Sequence, residues 1–265
     1  MLKIGKYEIL FLTLLLISCN YCERNIDVEG TPTTKILFIG SSYFRNNDLP
    51  GLVNNLAICD DKDVLIDSRI IGGTYLQYHA NNIETQEKIN SETWDYVILQ
   101  GVGRLMAYPE IYTDHPVYPS LEKLRKIIYT NSNSTKMVFC LPWAYEDGMT
   151  WLEGWTDGYS DMQNKINNNT LKYAKEIGFT IAPVGIAWQE AIGAQDEPMH
   201  YLHSSDYNHP SIRGSYLMAC VIYATVFQKS LVGIPYYSDL SVEEAQYFQS
   251  LASSTVLNGS SGYLN

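Results

Sequence analysis

Two short segments carry side chains whose types and order suit nucleophilic chemistry. The first is Gly40-Ser41-Ser42-Tyr43, directly after an apolar run. A serine on a turn from strand to helix stands at the carboxyl edge of a sheet, where it can act as a nucleophile once a base reaches it. The second is Asp206-Tyr207-Asn208-His209-Pro210-Ser211, followed by Gly214 and a long apolar stretch. An Asp and a His three apart in one loop can meet directly. The carboxylate then accepts the Nδ1–H, fixes the tautomer and stabilises the imidazolium. The other ring nitrogen is free to take a hydroxyl proton. Pro210 and Ser211 suit a helix start, which would pin His209 at its beginning. Neither segment is specific alone, because Gly-Ser turns are common and a phosphate-binding turn looks similar.

Two other chemistries compete for these residues. His200, His203, Asp206 and His209 recur every third residue, which invites a metal site. Ser204, Ser205, Asn208 and Pro210 mark a loop there, however, and no HExxH or Cys/His frame accompanies it. No metal is therefore expected. A flavin or nucleotide phosphate at residues 40–43 would leave Asp206 and His209 without a role, so no cofactor is expected either.

The elements that must position these groups can be read from the pattern of apolar runs. Residues 35–40, 64–70, 95–100, 136–141 and 179–184 look like buried parallel strands. Helical spacing fills the intervals at 49–59, 76–89, 121–129 and 162–177, then at 186–192, 211–228 and 241–252. Strands alternating with helices in this way predict a three-layer α/β/α fold around a five-stranded parallel sheet. One stretch breaks the alternation. Residues 143–160 (WAYEDGMTWLEGWTDGYS) are rich in aromatics, Gly and acid and lie just past the fourth strand. The carboxyl ends of the strands face a ligand crevice there. Trp143, Tyr145, Trp151 and Trp155, with Tyr159, are candidates for a wall that stacks on a sugar. Ordinary core packing is the competing reading.

Lys3 and Lys6 precede an apolar run over residues 9–17 that is too short to span a bilayer. The sequence Leu16-Ile17-Ser18-Cys19 resembles a bacterial lipobox. That resemblance implies cleavage before Cys19, lipidation of its thiol and anchoring of an exported protein to a membrane through the lipid alone. The expected organisation is a signal peptide (1–18), a tether (19–34), one domain (35–255) and a tail (256–265). The net charge of −11, with no basic cluster, excludes a nucleic-acid binder. A 46% hydrophobic composition excludes a disordered chain. Cys140 and Cys220 sit in apolar runs and read as buried thiols. The wide, irregular cysteine spacing leaves a bridge open.

Taken together and in this order, the segments resemble the SGNH/GDSL hydrolase superfamily over roughly residues 35–228. The carriers are ILFIGSSYF at the first strand, WDYVILQ (94–100) at the third, and DYNHPSIRGSYLMA (206–219). The resemblance implies a flavodoxin-like sheet, with Ser42 as nucleophile, His209 as base and Asp206 as its orienter. It also implies an oxyanion hole from the amides of Ser42 and Gly73, the latter within Ile71-Gly72-Gly73-Thr74. The chain departs from the family where a Gly-x-Asn-Asp block is usual. Here it reads Gln100-Gly101-Val102-Gly103, so Gln100 is the candidate for the missing side-chain donor. A second departure is Ser41, where Asp or Asn usually precedes the nucleophile. The implied activity is hydrolysis of a short acyl ester on a small molecule or glycan, without metal or cofactor. The rival reading is a non-catalytic carbohydrate-binding lipoprotein on the same fold.

Overall fold

The apolar run at 35–40 becomes the centre of the sheet. In the computed structural model, which describes Cys22 and residues 33–112, 114–194 and 201–258, β1 (Thr34–Gly40) lies between β2 (Val64–Ile70) and β3 (Tyr96–Gln100). β4 (Lys136–Cys140) and β5 (Thr180–Ala182) lie beyond β3. All neighbours pair parallel, in the order β2-β1-β3-β4-β5. Ile36, Leu37, Phe38 and Ile39 are fully buried, as a central parallel strand requires when helices cover both of its faces. The strand order reverses between β1 and β3. Loops leaving the two strands diverge at such a point and open a crevice at the carboxyl ends. Gly40 and Gln100 end the two strands at that crevice.

Each strand feeds helices. α1 (Ser42–Arg45) and α2 (Leu49–Cys59) follow β1, and α3 (Leu76–Asn81) and α4 (Ile83–Asn90) follow β2. α5 (Gly103–Ala107) and α6 (Val117–Asn131) follow β3, and α7 (Gly158–Ile177) follows β4. α8 (Val184–Gly193), α9 (Ile212–Phe227) and α10 (Val242–Leu257) come after β5. α2, α8 and α10 pack with α9, whereas α3, α4 and α7 pack with α6. This is the expected three-layer α/β/α architecture. α9 is buried along nearly its whole length, so its start is fixed in space. Ser211 caps it, accepting from the Gly214 amide at 3.3 Å.

The expectations fail locally, for identifiable reasons. The helix read over 76–89 is two helices. Asn82 is extended (φ −90°, ψ 126°), and its side chain caps α4 by accepting from the Thr85 amide at 2.9 Å. The fifth strand is shorter than 179–184 because Pro183 ends it and starts α8. The domain does not stop at 255, because α10 runs to Leu257 and Val256 is fully buried. Cys22, inside the segment read as a tether, is disulfide-bonded to Cys59 at the end of α2. Cys140 and Cys220 are free and buried, and burial pushes both thiols up. The signal peptide, Cys19 and His200 lie outside the described residues.

Candidate active site

Ser42 begins α1 immediately after the β1 turn. Its Oγ lies 2.8 Å from His209 Nε2, and His209 Nδ1 lies 2.5 Å from Asp206 Oδ2. The loop that carries the pair is built largely from its own hydrogen bonds. Asp206 Oδ1 accepts from Ser204 Oγ at 2.7 Å, from the His209 amide at 2.9 Å and from the Asn208 amide at 3.1 Å. Burial pushes the Asp206 carboxyl up. The hydrogen bonds from Ser204, the His209 ring and the two amides outweigh it and hold the group well below the usual carboxylate range. Asp206 is therefore ionised and committed to His209 at any pH near neutrality. An antiparallel bridge between His203 and Pro210 closes the base of the loop, with the Ser204 amide on the His209 carbonyl at 2.7 Å.

Buried aromatics clamp this loop from behind. Trp143 stacks on Trp188 at 4.1 Å with parallel planes and on Tyr43 at 4.7 Å, and Tyr43 meets the His209 ring edge-on at 5.3 Å. Trp143 Nε1 donates to the Asn208 carbonyl at 2.9 Å, and the Tyr43 hydroxyl donates to Asn208 Oδ1. Burial keeps the Tyr43 phenol pKa well above its ordinary value, so the hydroxyl stays a donor.

The other half of the site is built from strand ends. Gly73 has φ +76°, a conformation that favours glycine, and open space where a Cβ would stand. Among the described residues, neither the Gly73 amide nor the Ser42 amide has a protein acceptor. Gly73 and Ser42 line one cavity of about 510 Å³ together with His209, Tyr145 and Trp151. Gln100 does not point there. Its Oε1 accepts from the Ser41 amide at 2.7 Å and the Ser41 hydroxyl at 3.1 Å, while its Nε2 donates to the Gly101 carbonyl at 2.8 Å. The expectation of Gln100 as an oxyanion donor is thereby corrected. It is a strut that holds the turn before Ser42, and Gly40 lets it approach: a Cβ there would meet Gln100 Cβ at 2.9 Å.

Solved structures resemble this chain along most of its length. A DUF4886 family protein from Bacteroides uniformis superposes with a TM-score of 0.68 at 20% identity, covering 86% of this chain and 97% of its own. A protein assigned to the SGNH hydrolases from Slackia heliotrinireducens gives 0.57 at 25% identity, covering 72% and 98%. An acetylxylan esterase from Geobacillus stearothermophilus gives 0.56 at 15% identity, covering 74% and 95%. The chain has the fold of the SGNH/GDSL hydrolase superfamily. No family model and no curated protein matches it.

Within this SGNH fold the aromatic stretch divides. Tyr145 and Trp151 line the cavity, their rings 5.6 Å apart. Trp143 is 1% exposed and serves the triad loop, so it is no wall for a sugar. Trp155 also lies off the cavity. It stacks near Tyr108 at 6.3 Å, with the Lys165 ammonium 5.7 Å from its ring. Tyr159 is buried in α7. His203 is buried too, its Nε2 on the Ala144 carbonyl at 2.9 Å. No cluster of three or more potential metal ligands exists among the described residues.

Three residues in or beneath the cavity carry no motif in the sequence. Tyr75 and Arg104 line the cavity, the first just after the glycine turn and the second in the short α5. His79 lies beneath it, its Nε2 3.0 Å from the Gly40 carbonyl and 3.3 Å from Thr74 Oγ1, its Nδ1 3.2 Å from Thr85 Oγ1. A histidine inside Leu76-Gln77-Tyr78-His79-Ala80 carries no motif. Its one signal is a polar residue on the apolar face of a helix.

Proposed function

We propose that the protein is a serine esterase acting on an acylated carbohydrate outside the cytoplasm. The observation that carries this reading is the unbroken chain of contacts Ser42–His209–Asp206 beside two unclaimed amides. Ser42 Oγ attacks the ester carbonyl while His209 Nε2 takes its proton, and Asp206 holds the imidazolium that forms. The amides of Ser42 and Gly73 bind the oxyanion. His209 returns the proton to the departing alcohol, and the acyl group stays on Ser42. Water, deprotonated by His209, then releases the acid and restores the hydroxyl.

Tyr75, Tyr145 and Trp151 around the cavity support a sugar as the alcohol half, since flat apolar faces stack on pyranose rings. A second cavity of about 510 Å³ shares Gly73, Thr74 and Tyr75 with the first, which suits an acceptor longer than one ring. An acetylxylan esterase among the structural neighbours favours a short acyl group. The Cys22–Cys59 disulfide supports export, because such bonds persist in oxidising compartments. We include in the proposal a lipid on Cys19 as the only membrane attachment.

The test is hydrolysis of 4-nitrophenyl acetate by wild type and Ser42→Ala, with fluorophosphonate labelling of Ser42. Turnover that survives Ser42→Ala would sink the mechanism. The diverted Gln100 favours the rival binding role, because losing a side-chain oxyanion donor costs about 3–4 kcal/mol of transition-state stabilisation. Glycan binding with no Ser42-dependent turnover would establish that role instead. Loss of fatty-acid labelling in Cys19→Ala tests the anchor.

A further inference from the structure

Ester hydrolysis does not explain the charge in the pocket. The chain is acidic, and many of its cations sit against acids: Lys35 with Glu92, Lys88 with Asp67, Arg69 with Glu84, Lys165 with Asp161, Arg213 with Glu244. Arg104 departs from that pattern. It lines the cavity that holds Ser42 and His209, and it is half-buried. Among the described residues no carboxylate pairs with it. Among the described residues Tyr75 holds it: Nη2 donates to the phenol oxygen, and the guanidinium carbon lies 5.3 Å from the ring centroid. The remaining N–H donors of its planar fork have no protein acceptor among the described residues. A guanidinium fixed in place, partly desolvated and left without an anion has the geometry of a receptor for a carboxylate. Its charge also reaches the triad side of the cavity. Burial raises the phenol pKa values of Tyr43 and Tyr145, and the Arg104 charge opposes that rise at both.

We infer that Arg104 selects esters whose alcohol half carries a carboxylate, so that the substrate class is an O-acylated acidic sugar. The inference rests on the esterase reading above. The alcohol half is favoured over the acyl half because Tyr75, which orients Arg104, also borders the second cavity. The bulk of a substrate that fills both cavities therefore passes over the guanidinium, and in a short-chain acyl sugar that bulk is the alcohol. A bidentate carboxylate contact to a positioned arginine is then made in the bound state and kept in the transition state.

Three chromogenic esters test this: 4-nitrophenyl acetate, 3-carboxy-4-nitrophenyl acetate, and the monoester of succinic acid with 4-nitrophenol. The expected result is a kcat/KM for the carboxylated acetate at least about tenfold above the neutral acetate in wild type. That ratio should collapse about tenfold in Arg104→Gln and be partly kept in Arg104→Lys, which retains the charge without the fork. An equal ratio in wild type and both variants overturns the inference while leaving the esterase standing. An Arg104-dependent preference for the succinate monoester overturns the assignment to the alcohol half. Hydrolysis of all three esters that is indifferent to Ser42→Ala removes the esterase reading itself.

Discussion

The two corners of the site are held by different kinds of structure. At the first, Asp206, Asn208 and His209 belong to one short loop whose bonds are mostly internal, and Trp143 and Tyr43 brace it from behind. At the second, proposed above to bind the oxyanion, the turn after β1, the end of β3 and the glycine turn after β2 come from distant parts of the chain. Gln100 and His79 tie them together. The first corner carries its geometry in local sequence. The second is only as accurate as the sheet that brings three strand ends together. A substitution at the first should therefore change rate with little effect on folding, whereas one at the second should change stability and rate together.

The largest separation of the two effects is expected at Asp206→Asn. Asparagine keeps an oxygen for Ser204 and the two amides, so the loop should hold. It presents an NH₂ group to His209 Nδ1, however, and so imposes the wrong tautomer. A loss of kcat of about ten-thousandfold, with only a small drop in the thermal midpoint from the weaker hydrogen bonds to an uncharged side chain, is the expected outcome of steady-state kinetics and a melt. A large drop in the midpoint would mean that the triad loop is not self-supporting.

His79 gives the next largest effect, at the other corner. Burial lowers its pKa from 6.5 to about 4, with the Arg69 charge adding to that and the bond to the Gly40 carbonyl opposing it. The folded protein thus holds a neutral imidazole, while the unfolded chain binds a proton below about pH 6.5. The stabilisation from His79 is complete above pH 6.5, falls as the pH drops toward 4 and levels off below that. The full difference is about 3 kcal/mol. Denaturant unfolding of wild type and His79→Gln should show their stability gap narrowing by that amount between pH 7 and pH 4. A gap independent of pH would remove His79 as a buried neutral strut.

Gln100→Ala comes third. It strands the buried Ser41 amide, which costs about 2 kcal/mol, and it loosens the turn before the nucleophile. Stability and kcat should both fall. Were Gln100 an oxyanion donor, kcat would drop a hundred- to a thousandfold with the melt unmoved, so the pair of measurements separates the two roles.

The same contrast decides which features are legible in the sequence. The five strands were legible because a parallel sheet writes them as apolar runs, and β2 and α2 match their expected bounds. Ser42, Asp206 and His209 could be singled out in the sequence because the last two share a loop and the first follows the end of a strand, and the structure brings the three into contact. Gln100 was misread because its position at the strand end is right for a donor. Only the approach of Ser41 across 59 residues of sequence diverts it. His79 and Arg104 went unseen for the same reason: each acts on a partner that the sheet, not the local sequence, brings near. Asn82 broke an apparent helix because a side-chain cap is available to it that periodicity does not register.

The smallest expected effect divides the aromatic stretch itself. Trp151 and Trp155 are close in sequence and chemically identical, yet one lines the cavity at 54% exposure and the other packs beside Tyr108 and Lys165. Stacking on a pyranose face is worth roughly what an aromatic pair is, about 1 kcal/mol. Trp151→Ala should therefore raise KM for an acylated oligosaccharide about fivefold. It should leave kcat unchanged, because the ring touches substrate equally in the ground and transition states. Trp155→Ala should leave KM unchanged and show its cost in the thermal melt instead. A KM effect at Trp155 as large as that at Trp151 would mean that the substrate runs along the α7 side of the loop rather than toward Tyr75. The second cavity would then lose its place in the binding path.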